Sequence, residues 1–502
     1  MIEYTRRECL LAAIVTLILL VLGACTLTPG TTTWGDDHAA YINEGIAIAE
    51  GHFSDQEEIN YYYHPSDLPK EAENGRLVYA WGYPLLLSTV YKIVGFDRID
   101  FSSIIWYKIP SLLCLSLTGG VLTLFLRRRF SRYAAAGAAI VFCMSGNLFE
   151  ALNGLYSDLS FLFFSMLTFF LMEYFAANSR NTKLRSWLGL FYGITLWMTY
   201  ETRLSGFTVC GAAMLGHIMI LLRQRCRLDW KDLYLQLLPY LVMGLLILIS
   251  EHFWLAPATQ NLSDIGKPAE ENLRRYYQKS IFDFFDTLPR VPFSGMGYVF
   301  LAAFFIGLVV KGFRENLYLT LLLIGTLAVD LSLPYKNGLR YLYNVLPIMI
   351  MYCLYGFQTV GTLICRIWKP AKGTLGRAIV VVTAAEVLFF SCANQVYRGG
   401  YNIIHWGESY SYDMYSPEAK EIYRFIQEEI PEDSIIAFGK PRALYLNTGR
   451  MSFRTGQNGH QLTEADYYLK HKHINLDDNI IETAGMEIIM ENNYLVLYQI
   501  ES

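Results

Sequence analysis

Charge is scarce in this chain. Only 17% of its 502 residues are Asp, Glu, Lys or Arg, where soluble domains carry about a quarter. Such a composition does not fit a protein held in solution by a charged surface. Cysteine is present nine times, but no two form a CxxC pair and the longest polar segments contain none. That argues against a disulfide framework or a cysteine metal site. Basic residues fall in short loops rather than on one face of a folded segment, so the footprint of a nucleic-acid binder is missing. Internal repeats and low-complexity tracts are absent too.

What fills the chain is apolar surface: 53% of residues are hydrophobic, 15% are aromatic, and the mean hydropathy is +0.26. Residues 10–27 form an uncharged run of 18, about the length that crosses a hydrocarbon core. Ten more runs follow at 109–126, 134–149, 159–172, 187–200, 204–222, 233–250, 291–310, 317–329, 341–365 and 378–396. The expectation is a polytopic α-helical membrane protein of about 11 spans, with residues 1–396 as the membrane domain. Residues 397–502 read as a small extracytoplasmic α/β domain. There Ser416-Pro417 starts a helix to about Glu429, 434–438 and 442–446 read as strands, and 486–490 with 494–500 read as a hairpin.

Charge sets the sidedness. With the N-terminus inside, the inside loops hold 19 Lys and Arg and the short outside loops hold three. That is the positive-inside bias, and it gives a multi-pass plasma-membrane protein with a cytoplasmic N-terminus and an extracytoplasmic C-terminus. Long segments at 29–101 and 256–290 then lie outside.

The outer side collects ionisable residues near span ends, where charge is costly and points to function. Asp36 and Asp37 follow the first span and open a short helix that lies on the membrane surface, with Asp37, Tyr41 and Glu44 on one face. Asp158, Glu201, Arg203, Lys336 and Arg340 lie at outer turns. Each has a plainer reading: helix capping for Asp36, Asp37 and Asp158, a local pair for Glu201 with Arg203, a boundary marker for Lys336 and Arg340.

The order of these features resembles the GT-C superfamily of integral membrane glycosyltransferases, in the branch of protein O-mannosyltransferases and lipid A aminoarabinose transferases. Asp36-Asp37-His38-Ala39-Ala40-Tyr41 matches the acid pair of the first outer loop, with Asp37 where the family usually has Glu. Trp81-Gly82-Tyr83-Pro84-Leu85, Thr202-Arg203, and Arg340-Tyr341-Leu342 followed by Pro347 match in order. The resemblance implies transfer of a sugar from a polyprenyl-phosphate donor to an envelope glycan, lipid or protein acceptor, on the outer face and with inversion.

An acceptor hydroxyl needs a carboxylate base, and a departing lipid phosphate needs cations. Asp36 is therefore expected as base or acceptor-orienting acid, Asp37 as its helper and Asp158 as a second acid. Arg340 and Lys336, with Arg203, are expected on the donor phosphate. No cofactor is required, although an acid cluster leaves room for a divalent cation. The partners expected are the donor, the acceptor and membrane lipids, with no nucleic acid. A transporter or lipid flippase, and a noncatalytic envelope assembly protein, are the alternatives. A flippase would show mid-membrane charges in repeated halves.

Reporter fusions after Arg227 and after Ser502 test the topology. The charge bias expects the first inside and the second outside. Both fusions reporting the same side would break the eleven-span arrangement.

Overall fold

A computed structural model describes residues 4–30, 36–52, 79–98, 103–177, 182–203, 205–224, 230–253, 296–331, 339–368, 373–405, 414–455, 461–476, 481–483 and 485–500. Thr5 opens the first helix with a capping box, its hydroxyl accepting from the Glu8 N–H while the Glu8 carboxylate takes the Thr5 N–H. The helices that follow in chain order are α1 (Arg6–Cys25), α2 (Asp37–Glu50), α3 (Gly82–Val94), α4 (Ile109–Arg127), α5 (Arg132–Cys143), α6 (Gly146–Asn153), α7 (Asp158–Ala177) and α8 (Thr182–Thr202). Next come α9 (Gly206–Gln224), α10 (Trp230–Phe253), α11 (Met296–Gly307), α12 (Leu317–Leu331), α13 (Leu346–Ile367) and α14 (Thr374–Ile404).

Each of the eleven apolar runs overlaps a helix among the described residues. Among the described residues, seven helices are long and apolar enough to cross a membrane, or eight if the bent pair α5–α6 counts as one. The apolar stretch of α12, Leu317–Val329, is short, and α8 carries Arg185 and Glu201 near its two ends. The α5–α6 bend of 52° frees backbone groups, and the buried Gln395 amide of α14 donates to the Met144 carbonyl there at 3.0 Å. Packing is closest between α11 and α13. A Cβ on Gly307 would lie 1.8 Å from the Tyr352 carbonyl, and one on Gly356 would lie 1.9 Å from that of Ala303. Small residues at such a crossing let two spans meet backbone to backbone. On α10, Leu237, Leu241, Leu245 and Leu248 stay exposed as an apolar stripe, the surface a bilayer covers.

The tail folds into a five-stranded sheet with two helices, α15 (Pro417–Glu429) and α16 (Pro441–Thr448). The strands are β1 (Ile435–Phe438), β2 (Met451–Phe453), β3 (Tyr467–His471), β4 (Glu487–Glu491) and β5 (Leu495–Gln499), in the order β2-β1-β3-β5-β4. β1 pairs parallel with β2 and β3, while β5 pairs antiparallel with β3 and β4, setting Tyr468 opposite Tyr498. One expectation is corrected here. Residues 442–446 are helical, not a strand: Pro441 stands in the first helical turn and Gly449 ends the helix at φ +75°. The short alternation Ala443, Leu444, Tyr445, Leu446 reads equally well at either period.

The sheet unit docks on α2 and α3. One apolar cluster joins Ala39, Tyr41 and Ile42 of α2 and Tyr83 and Leu87 of α3 to Ile422, Tyr423, Leu444 and Leu446 of the tail. The tail therefore covers α2. That helix is buried from His38 to Gly45, between α3 and α16. A polar clasp completes the dock. Asp36 accepts the N–H of Ala443 at 2.8 Å and of Arg442 at 3.2 Å, two of the donors that a helix start leaves unpaired.

Asp36→Ala removes that cap, a loss worth about 1 kcal/mol. Amide exchange over residues 442–448 then accelerates roughly fivefold, while Asp36→Asn, which keeps one of the two acceptor oxygens, falls between the alanine variant and wild type. Unchanged exchange in the alanine variant would mean that the apolar cluster alone holds the tail in place.

Candidate active site

The turn between α6 and α7 builds the site's floor. Leu155 is fully buried with φ +55°, an uncommon backbone state for a branched side chain. The Tyr156 ring folds back over Gly154, where an added Cβ would lie 2.3 Å from the ring. This geometry presents the ring upward, and the Arg340 guanidinium stacks on it with 3.6 Å from Cζ to the centroid.

Asp158, the first residue of α7, has no exposed surface. One of its oxygens accepts from Arg203 just past α8. The other accepts from Arg340 Nε at 3.0 Å and Nη2 at 2.9 Å. Arg340 belongs to the 3-10 turn Leu339–Leu342 that leads into α13. The carboxylates of Asp158 and Asp37 hold both of these groups together and raise the Arg340 guanidinium pKa against the pull of burial. Arg203 is set by a close approach: a Cβ on Gly82 would lie 2.7 Å from the backbone of Glu201 and Thr202. The local pair expected between Glu201 and Arg203 is not formed. Arg203 turns to Asp158, and Glu201 accepts from Ser250 at 2.7 Å.

Asp37 is the accessible acid. Its side chain is 36% exposed and lies 3.9 Å from Arg340 Nη1 on one side and 3.9 Å from Arg442 Nη1 on the other. It accepts the Tyr79 hydroxyl at 2.8 Å, and Tyr79 in turn accepts from Arg442 at 3.2 Å. Tyr41 ties α2 to the Asp158 turn through Ser157 at 3.1 Å. Asp36 points the other way, both oxygens engaged by the backbone of α16, and burial pushes its carboxyl pKa up. Glu44 lies two turns along α2, 1% exposed, and burial lifts its carboxyl well above the usual range.

The structure therefore brings Asp37, Asp158, Arg203 and Arg340 together and sends Asp36 to the tail. Lys336 lies outside the described residues, as do residues 53–78 of the first polar segment and all of 256–290. Sequence reasoning missed Arg442, Tyr79 and Tyr156. Arg442 alone had a signal, as the residue after a proline at a helix start. The oxygens of Asp158 and Asp36 are taken by N–H donors, so of these three acids Asp37 is the open one. Among the described residues no three His, Cys, Asp or Glu side chains share a site.

No protein-family model and no curated protein sequence matches the chain. Solved structures do match in fold. ArnT from Cupriavidus metallidurans in the apo state superposes with a TM-score of 0.58 at 12% identity, over 97% of both chains. The same protein bound to undecaprenyl phosphate gives 0.56 at 12% identity, again over 97% of both. The archaeal oligosaccharyltransferase AglB from Archaeoglobus fulgidus, in complex with an inhibitory peptide and a dolichol-phosphate, gives 0.52 at 12% identity over 92% of this chain and 69% of that one. The chain therefore shares the fold of ArnT and AglB, and in this chain an acid pair follows the first helix, a buried Asp–Arg cluster lies at the same end of the bundle and a sheet unit docks on it.

Proposed function

We propose that this protein is a membrane glycosyltransferase that moves a sugar from a polyprenyl-phosphate donor to an acceptor, on the outer face of the plasma membrane and with inversion. The observation that carries the reading is the pairing of one accessible carboxylate, Asp37, with a guanidinium, Arg340, whose Nη1 stands 3.9 Å from it at the end of a membrane bundle. The fold adds weight, because structures that share it hold undecaprenyl phosphate or dolichol-phosphate. The positive-inside bias puts this end outside and supports about eleven crossings, with the tail extracytoplasmic.

The chemistry is one displacement. The acceptor oxygen attacks the sugar's anomeric carbon, its proton passes to a carboxylate, and the bond from that carbon to the phosphate oxygen breaks. The lipid phosphate is already a good leaving group and needs cations rather than a general acid. Asp158 uses Nε and Nη2 of Arg340 and leaves Nη1 for a phosphate oxygen, which suits a planar, fixed guanidinium. Arg442 lies on the other side of Asp37 as a second cation, with Arg203 behind Asp158. For the base we choose Asp37 over Asp36. What favours it is exposure, since the oxygens of Asp36 already hold two N–H groups.

Mass spectrometry of envelope glycans, lipids and glycoproteins with and without the protein identifies sugar and acceptor. With that donor in nanodiscs, Asp37→Asn lowers turnover about 10²–10⁴-fold while Asp36→Asn stays within about tenfold of wild type. The reverse ranking would return the base role to Asp36, and full activity in both would remove the acid pair from the chemistry.

Arg340→Ala weakens donor binding and slows transfer, because the departing phosphate loses a charge-assisted partner. Arg340→Lys recovers part of the loss. Donor-concentration curves for both variants read this directly, and wild-type constants in the alanine variant would move the phosphate site toward Arg442.

A further inference from the structure

A second charged cavity lies at the far end of the bundle. Asp158 and Glu173 stand at opposite ends of α7, and at 1.5 Å per residue they are about 22 Å apart along the axis. Beside Glu173 is a cavity of about 1030 Å³. Five cations line it, Arg128, Arg129, Arg223, Lys311 and Arg366, against the carboxylates of Glu173 and Glu315.

The local pairs do not cancel this charge. Glu173, its side chain 4% exposed, takes both Arg128 and Arg129, and the Tyr318 hydroxyl as well. One carboxylate against two guanidiniums leaves a positive charge over. Lys311 pairs with Glu315 at 2.5 Å. Arg223 donates to the neutral carbonyls of Arg314 and Glu315 at 3.0 and 3.3 Å. Arg366, exposed in the last turn of α13, forms no ion pair or hydrogen bond with any described residue.

The cavity is also long. Tyr355, Thr359, Thr362 and Arg366 line it from one face of α13, at spacings of four, three and four residues. Eleven residues of helix span about 16 Å. The lining joins a cationic mouth to apolar surface: Ile220 and Leu363 border it, and Leu363 is 53% exposed, next to the exposed Ile364 and Ile367 of α13. A π-helical turn, Leu308–Gly312, carries Lys311 to the mouth; such turns recur at functional sites. A free phosphate needs only the mouth, whereas a phospholipid uses both parts.

We propose that this cavity binds the phosphate headgroup of an anionic phospholipid, its first acyl carbons following the α13 face. By the charge bias of the loops this is the inner leaflet, where basic pockets between spans hold such headgroups. The site is separate from the one proposed for transfer and its test does not depend on that activity.

The test is a lipid titration of the delipidated full-length protein in detergent, followed by native mass spectrometry. The probes are dioleoyl phosphatidylglycerol, phosphatidylcholine with the same chains, and glycerol 3-phosphate. Phosphatidylglycerol is expected to bind at least about tenfold more tightly than either control. Lys311→Gln with Arg366→Gln should weaken it about 25-fold, at roughly fivefold per charge. Arg366→Lys should stay within about twofold, because it keeps the point charge. Both positions are on the rim, and an unchanged thermal unfolding curve verifies that the variants fold. Equal affinity for phosphatidylcholine, or unchanged phosphatidylglycerol affinity in the double variant, would overturn the proposal. Glycerol 3-phosphate binding as tightly as the lipid would overturn the lipid assignment in favour of a soluble phosphate.

Discussion

A carboxylate with no exposed surface dictates what surrounds it. Asp158 loses its hydration on folding, and an uncompensated buried charge costs several kcal/mol. Arg203 and Arg340 supply the compensation, and they come from the ends of two different helical segments. α7, α8 and the entry to α13 are thereby fixed to one point. The constraint extends outward. Arg340 needs the Tyr156 ring beneath it, and the ring needs the Gly154–Leu155 turn with its positive φ. That strain, of order 1–3 kcal/mol, persists because the packing around Leu155 over-determines it. A guanidinium held by a carboxylate on one edge and a ring on its face is preorganised, so little is lost when its remaining edge meets an anion.

The same helix repeats the device at its other end. Glu173 also takes two arginines, with Tyr318 from α12 as a third donor. α7 is thus pinned at both ends by acids that gather cations from neighbouring helices. It is also among the most buried of the apolar helices. At the edge of the bundle α10 keeps its leucine stripe exposed, while Asp232, Gln236, Tyr240 and Ser250 bond to α8 and α9.

Much of this was legible in the sequence, and the boundary follows physical range. Apolar runs located each of the seven helices that, among the described residues, are long and apolar enough to cross a membrane, because burial and lipid exposure act on local composition. Asp158, Arg203 and Arg340 stood out because charge near a span end is costly wherever its partner lies. Their mutual pairing was not legible: Arg340 is 182 residues from Asp158, and no periodicity reports a contact at that separation. Arg442 was hidden further, since α16 is eight residues long and its apolar alternation fits a strand as well as a helix. The positive φ of Leu155 had no glycine to announce it.

The acid pair shows why adjacent identical residues need not share a task. Successive residues at a helix start point about 100° apart, so Asp36 and Asp37 face different surroundings. Asp36 meets the amino end of α16, whose unpaired N–H groups take both of its oxygens. Asp37 meets Tyr79 and two guanidiniums and keeps a third of its surface open. The first therefore works as a latch between the tail and α2, and it acts on the second through position: with α16 docked, Arg442 is delivered to its place beside Asp37. The sheet unit is then a part of the site and not an appendage. It contributes a cation at the point where the bundle contributes an acid, and the Asp36 clasp sets the distance between them.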